Sequence, residues 1–187
     1  MNDVLKAIAQ RFSCRNFTGQ IPKEEDLAAI AQAAIQSPSG MNRQGWQVII
    51  VKDKCLLDEM EAEGMRVLSS FSDPSIYQRI MDRGGKLFYN APCMIVLAVK
   101  EADPKGAEQF DCGITAQNIV LAAESLGLAS LHCGLAVLAF AASKADEFKR
   151  RLKFPEGYEC GIGVLLGYAK SKAAPHTPNQ DKITVIG

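Results

Sequence analysis

Neither charge is in excess, long apolar runs are missing and histidine is scarce, and each absence removes a class of function. Lys and Arg number 21 against 21 Asp and Glu in 187 residues. A chain without a basic surplus lacks the means to release counterions from a phosphate backbone, so general nucleic-acid binding is not expected. The longest aliphatic run, Met94 to Val99, is far short of the roughly 20 residues that span a bilayer. No basic stretch followed by an apolar run and a small-residue cleavage site opens the chain, so no export signal is read and a cytoplasmic setting is expected. Only two histidines occur, and the closest two of the six cysteines are 19 positions apart. Neither a zinc site nor a disulfide framework is expected from that spacing.

What is present is a globular composition, 48% hydrophobic and 22% charged, long enough to bury a full core as one domain over 1–187. Apolar Val4, Leu5, Ile8 and Ala9 predict a short amphipathic helix over 2–11. Pro22 and the acids after it open a second helix with Leu27, Ile30, Ala31, Ala34 and Ile35 on its buried face. Turn formers make 37–45 a loop, and a strand follows over 46–51. Helices are predicted over 54–68, from Asp73-Pro74 to about Tyr89, over 106–126 and over 143–152 with Ser143 as cap. Strands are predicted over 93–99, 128–133 and 160–167, with a strand-like tail at 183–186. The class is α+β, with helices packed on one sheet.

Two stretches carry candidate chemistry. In an extended Arg11-Phe-Ser-Cys-Arg15-Asn-Phe17, side chains alternate, so Arg11, Ser13 and Arg15 share one face and Phe12, Cys14 and Asn16 the other. Two guanidiniums and a hydroxyl on one face suit a phosphate, although the same arginines also fit a solvated helix end near the negative dipole. In Ser37-Pro38-Ser39-Gly40-Met41-Asn42, small residues allow close backbone approach to a flat ligand, and Asn42 offers a donor and an acceptor. A plain helix-to-strand connection reads the same way.

Taken together, and in this order, these stretches resemble the nitroreductase family. Further matches are Gln44-x-Trp46, Asn90-Ala91-Pro92 before an apolar strand, Gln117-Asn118 with Ala122-Ala123-x-x-Leu126-Gly127-Leu128, and Gly163-x-x-x-Gly167-Tyr168. The resemblance implies a nitroreductase-like α+β fold, helices around a mainly antiparallel sheet, with FMN at a homodimer interface. It implies a phosphate site of Arg11, Ser13 and Arg15 with backbone contacts from Phe12. Pro38, Ser39, Gly40 and Asn42 match a loop that meets the partner subunit's flavin, and Lys86 matches a lysine by the pyrimidine edge, where a cation stabilises reduced flavin. Leu131, His132, Cys133 and Gly134 fall where backbone contacts reach flavin N5.

Gly45 stands where relatives usually have proline, Cys133 where an acid is frequent, and His176 where many place an arginine that completes the phosphate site. The resemblance further implies an NADH- or NADPH-fed, ping-pong reduction of nitroaromatics, quinones or similar small acceptors, with no catalytic side chain required. A flavin carrier or sensor without turnover, or an oxygen-dependent flavin enzyme on this scaffold, are the rival readings. The acceptor pocket is expected from 69–83 and the long helix. That helix is expected at the dimer core, or else buried within one chain, and the tail strand on the neighbour's sheet.

Overall fold

The computed structural model describes residues 2–100 and 106–187. Four strands, β1 (Trp46–Val51), β2 (Cys93–Lys100), β3 (Ala129–Cys133) and β4 (Tyr158–Gly167), form one sheet in the order β1-β2-β4-β3. Every pairing of these strands is antiparallel. β2 is buried on both faces, which its unbroken apolar run anticipates. Its Cys93, Ile95, Leu97 and Val99 point to one face and Met94 and Val96 to the other.

The first face is covered by α2 (Glu24–Ile35) and α5 (Ala107–Ser125), through Leu27, Ile30 and Ala34 of α2 and Ala116, Ile119 and Ala123 of α5. The second is covered by α3 (Lys54–Ser69), α6 (Ala145–Arg151) and a 3-10 stretch, Gly134–Phe140, that bears buried Ala136, Leu138 and Ala139. In β4, Gly161 is a bulge, since Leu97 pairs Ile162 whereas Ala98 pairs Cys160. A Cβ there would lie 2.7 Å from Cys112 Sγ, so the helix above β4 leaves space for hydrogen only.

Several expectations shift. α1 spans Asp3–Gln10, capped by the Asn2 carboxamide accepting from Leu5 N at 3.0 Å. Of its residues only Ala7 is buried, so the apolar stripe of Val4, Leu5 and Ile8 is left uncovered by its own chain. Ile35 of α2 is likewise exposed. The helix predicted to reach Tyr89 stops early: α4 covers Ser75–Asp82, because Gly84 and Gly85 take φ of 98° and 68° and break the ladder. α6 begins after Lys144, and no side chain caps it, so Ser143 does not serve as predicted.

α5 ends as predicted before left-handed Gly127. It buries Ala116, Ile119, Val120 and Ala123, while Phe110 and Ile114 face outward. The tail at 183–186 is exposed and pairs with no strand among the described residues. Among those residues no helix is long and apolar enough to cross a membrane, and no group of His, Cys, Asp or Glu is placed to hold a metal ion.

Candidate functional site

After α1 the chain runs extended along the free edge of β3. Cys14 N donates to Ser130 O at 2.9 Å, Thr18 N to Tyr168 O at 2.8 Å, and Lys170 N to Asn16 O at 2.9 Å. This backbone pinning produces the predicted alternation as far as Arg15, with Phe12 and Cys14 buried and Arg11, Ser13 and Arg15 facing outward, whereas Phe17 is buried out of phase. Asn16 departs from it, being exposed, with its Nδ2 on Ser171 Oγ at 3.2 Å.

Two adjoining cavities open on this face. The larger, about 310 Å³, is lined by Phe12, Ser13, Arg15, Asn16, Arg83 and Ser171. The smaller, about 170 Å³, brings Arg15 and Arg83 together with Arg79, Tyr89 and the run Leu131, His132, Cys133, Gly134. Ile76, Ile80 and Leu135 complete its apolar wall. Thus the phosphate-type arginine and the β3 end, 115 or more positions apart in sequence, share one groove.

The groove's own chemistry is cationic and otherwise neutral. Arg43, Arg66 and Arg151 each pair with a carboxylate. Arg11, Arg15, Arg79 and Arg83 have no carboxylate partner among the described residues, and three of these four line the two cavities. Burial pushes the Cys133 thiol up to about 12, so it stays protonated; its Sγ lies 3.8 Å from Leu87 O. Burial also lowers the His132 pKa below its ordinary 6.5, with nearby Arg11 adding to the effect, so the imidazole is neutral at pH 7. A Cβ on Gly134 would meet nothing within 4 Å, which leaves its backbone open to a ligand.

Lys86 lines neither cavity, although the next residue, Leu87, lines the smaller one. Lys86 Nζ lies 3.3 Å from Oε2 of Glu61, a buried α3 carboxylate whose other oxygen accepts from Phe88 N at 2.5 Å. Glu61 thereby fixes both the lysine and the turn at Tyr89 and Asn90, which adopt φ of 50° and 56°. Two successive non-glycine residues in the left-handed region store strain, a recurrent property of binding turns.

Pro38, Ser39, Gly40 and Asn42 lie elsewhere. Their loop is strapped to α5: Gly40 N donates to the Asp111 carboxylate at 3.1 Å, Arg43 pairs with Glu108, and Asn118 Nδ2 holds Ser37 Oγ at 2.9 Å. Ser39 Oγ accepts from Gln44 N at 2.9 Å, holding Met41, Asn42 and Gln44 at positive φ. The loop precedes β1, at the sheet edge opposite β3, and three strand spacings put it roughly 14 Å or more from the arginine groove. One chain does not bring the two candidate stretches together.

His176 sits on the exposed tail and lines neither cavity; Arg83 is the cation that faces Arg15 there instead. Gly45 anchors the loop's end through its carbonyl, which accepts from Lys100 N at 3.0 Å. Of the expected acceptor segment, Ile76, Arg79, Ile80 and Arg83 line the groove, whereas the long helix does not. Sequence reasoning reached Arg79 and Arg83 only as members of the 69–83 acceptor segment and assigned no role to Tyr89 or Glu61. The one signal available was a pair of arginines one helical turn apart, 79 and 83, on a helix next to a glycine pair.

Known proteins share this fold. A crystal structure of a nitroreductase with bound FMN from Desulfitobacterium hafniense DCB-2 is 55% identical, covers 100% of both chains and superposes with a TM-score of 0.96. A second, a nitroreductase with bound FMN from Bacteroides fragilis NCTC 9343, is 25% identical over 100% of both chains, with a TM-score of 0.90. A curated relative from Archaeoglobus fulgidus, named "Putative NADH dehydrogenase/NAD(P)H nitroreductase", is 29% identical over 178 residues, 92% of this chain and 88% of its own. The sequence model of the Nitroreductase family matches residues 8–168, and the chain belongs to the nitroreductase family.

Proposed function

We propose that this chain is an FMN-dependent oxidoreductase that takes electrons from NADH or NADPH and passes them to small electron-poor acceptors such as nitroaromatics or quinones. The observation that carries this reading is the groove in which Arg15, Ser13 and Arg83 meet the β3 end beside an apolar wall. The names of the FMN-bound structures and of the NAD(P)H nitroreductase relative support it.

The residues present fit the cofactor. Guanidiniums without carboxylate partners beside a hydroxyl match a phosphate, whose acceptor oxygens suit planar donors. Arg11, Ser13 and Arg15 would hold it, with Phe12 and Cys14 fixing their backbone. Leu131, His132, Cys133 and Gly134 would present backbone groups to the ring, with open space at Gly134 admitting close approach. When bound, FMN would supply the two-electron redox chemistry that links NAD(P)H to an electron-poor acceptor. Lys86, oriented by Glu61, would place positive charge at the ring's pyrimidine edge. Cys133, kept protonated by burial, offers no competing thiolate.

A second copy completes the site in this reading. Pro38, Ser39, Gly40 and Asn42 stand at the opposite sheet edge from the arginines, as a loop serving the neighbour's flavin must. Uncovered Val4, Leu5 and Ile8 of α1 and the tail Ile183, Val185 and Ile186 supply apolar surface for a homodimer.

The test is the absorbance spectrum of the purified protein, followed by anaerobic addition of NADH or NADPH. Oxidised-flavin bands that bleach with either donor are expected. Bands that do not bleach would identify a flavin carrier instead, and a colourless protein that takes up no FMN at micromolar concentration would refute the reading altogether.

A further inference from the structure

Arg79 and Arg83 lie one turn apart at the end of α4, the i, i+4 spacing at which like charges repel. Both line the smaller cavity, and Arg15 faces them across it. The chain as a whole is charge-balanced, and several cations elsewhere on it find partners. Lys52 pairs with Glu24, Arg66 with Glu63, Lys149 with Glu159 and Arg151 with Glu59. Convergence of unpaired guanidiniums on one groove leaves it with a positive potential that an anion offsets.

Under the reading proposed above, on which this inference rests, a single phosphate of about two negative charges is offset by Arg11 and Arg15. Arg79 is then left over, and Arg83 stands between the two cavities. Arg83 also lines the larger cavity, whereas Arg79 lines only the smaller one, against Ile76, Ile80, Leu131 and Leu135. An apolar wall with a guanidinium at its rim recognises a flat apolar body that carries an anionic group.

We infer that Arg79, seconded by Arg83, is a specificity residue that selects co-substrates bearing an anionic group tethered to an aromatic body. That chemistry has two sources in the proposed reaction: an acidic substituent on the acceptor, or the additional phosphate that distinguishes NADPH from NADH. Neutral quinones and nitroarenes bind the same wall without this contact.

The experiment titrates 4-nitrobenzoate and its neutral isostere 4-nitrobenzamide calorimetrically into purified protein of measured flavin content. Wild type binds the benzoate at least tenfold more tightly, and added salt erodes the ratio. Arg79→Gln brings the ratio within twofold of one, and Arg79→Lys restores part of it. Titration of NADPH against NADH in the same variants separates the sources, because a preference for NADPH lost in Arg79→Gln assigns the contact to the donor. A wild-type ratio near one, a ratio unchanged in Arg79→Gln, or a loss of FMN affinity in that variant with the ratio intact would each overturn the inference. A protein that takes up no FMN would instead sink the oxidoreductase reading, while the benzoate-to-benzamide ratio stays measurable.

Discussion

Removing the Glu61 carboxylate has consequences that can be worked from its two contacts. The side chain is about one-twentieth exposed, accepts from Phe88 N at 2.5 Å and pairs with Lys86 Nζ at 3.3 Å. Glu61→Ala leaves the buried Phe88 N–H without an acceptor, which costs about 1–3 kcal/mol. The Lys86 ammonium is half exposed and finds water, so losing that pair adds no more than about 1 kcal/mol. A total near 3 kcal/mol corresponds, at about 2–4 °C per kcal/mol for a chain of this size, to a Tm lowered by roughly 6–12 °C. Glu61→Gln keeps an oxygen for Phe88 N and forfeits only the charge, so its loss stays near 1 kcal/mol. Urea unfolding at fixed protein concentration, followed by circular dichroism, reads both variants. An alanine variant within about 0.5 kcal/mol of wild type, or a glutamine variant as unstable as the alanine one, would refute the assignment of Glu61 as the acceptor that holds this turn.

Arg15→Ala removes one charge-assisted partner of the proposed phosphate, worth about 1.5–3 kcal/mol, so equilibrium dialysis is expected to show FMN affinity reduced at least tenfold. Gly163→Ala would set a Cβ 2.7 Å from Ala136 Cβ and 2.9 Å from Met94 Sδ; Ala136 has no rotamer to yield, and overpacking of this kind costs about 1–3 kcal/mol, measurable as a lower urea midpoint. His132 is held neutral by burial, with a folded pKa below its ordinary 6.5. The unfolded chain therefore takes up that proton first, and His132 makes stability fall as pH drops below about 6.5, with no contribution above it. His132→Gln is expected to flatten the pH dependence of the urea midpoint between pH 7.5 and 5.5; an unchanged slope would contradict the assignment.

β1 and β2 were readable in the sequence because their apolar runs are short, bounded by turn formers and too rich in branched residues for helix. The end of α5 was readable because Gly127 is a residue type that favours φ near 75°. The alternation at Arg11, Ser13 and Arg15 followed from strand geometry alone. The early stop of α4 was missed because apolar Ile80, Leu87 and Phe88 mimic a continuing helical face across Gly84 and Gly85. The 3-10 stretch over 134–140 was hidden since its apolar run has no distinctive period. Arg79 and Arg83 were not singled out individually, for a different reason: their meaning depends on Arg15, more than 60 positions away, and on the lack of a carboxylate nearby. Glu61 looked like one of several surface acids on α3, and only the fold buries it. Ser143 is a favoured cap residue by type, but the turn that precedes α6 puts Lys144 at the cap position.

The segment from Phe12 to Phe17 does a second job by lying along β3. As the outermost strand, β3 would otherwise present a row of unsatisfied amides and carbonyls, a template for unwanted strand addition by another molecule. The Ser13–Ser130 pairing shields part of that border, and Phe17 goes on to pair with Ala169, just past the end of β4. With Arg11, Ser13 and Arg15 holding the cofactor as proposed, cofactor retention and resistance to aggregation would be coupled through the same half-dozen residues.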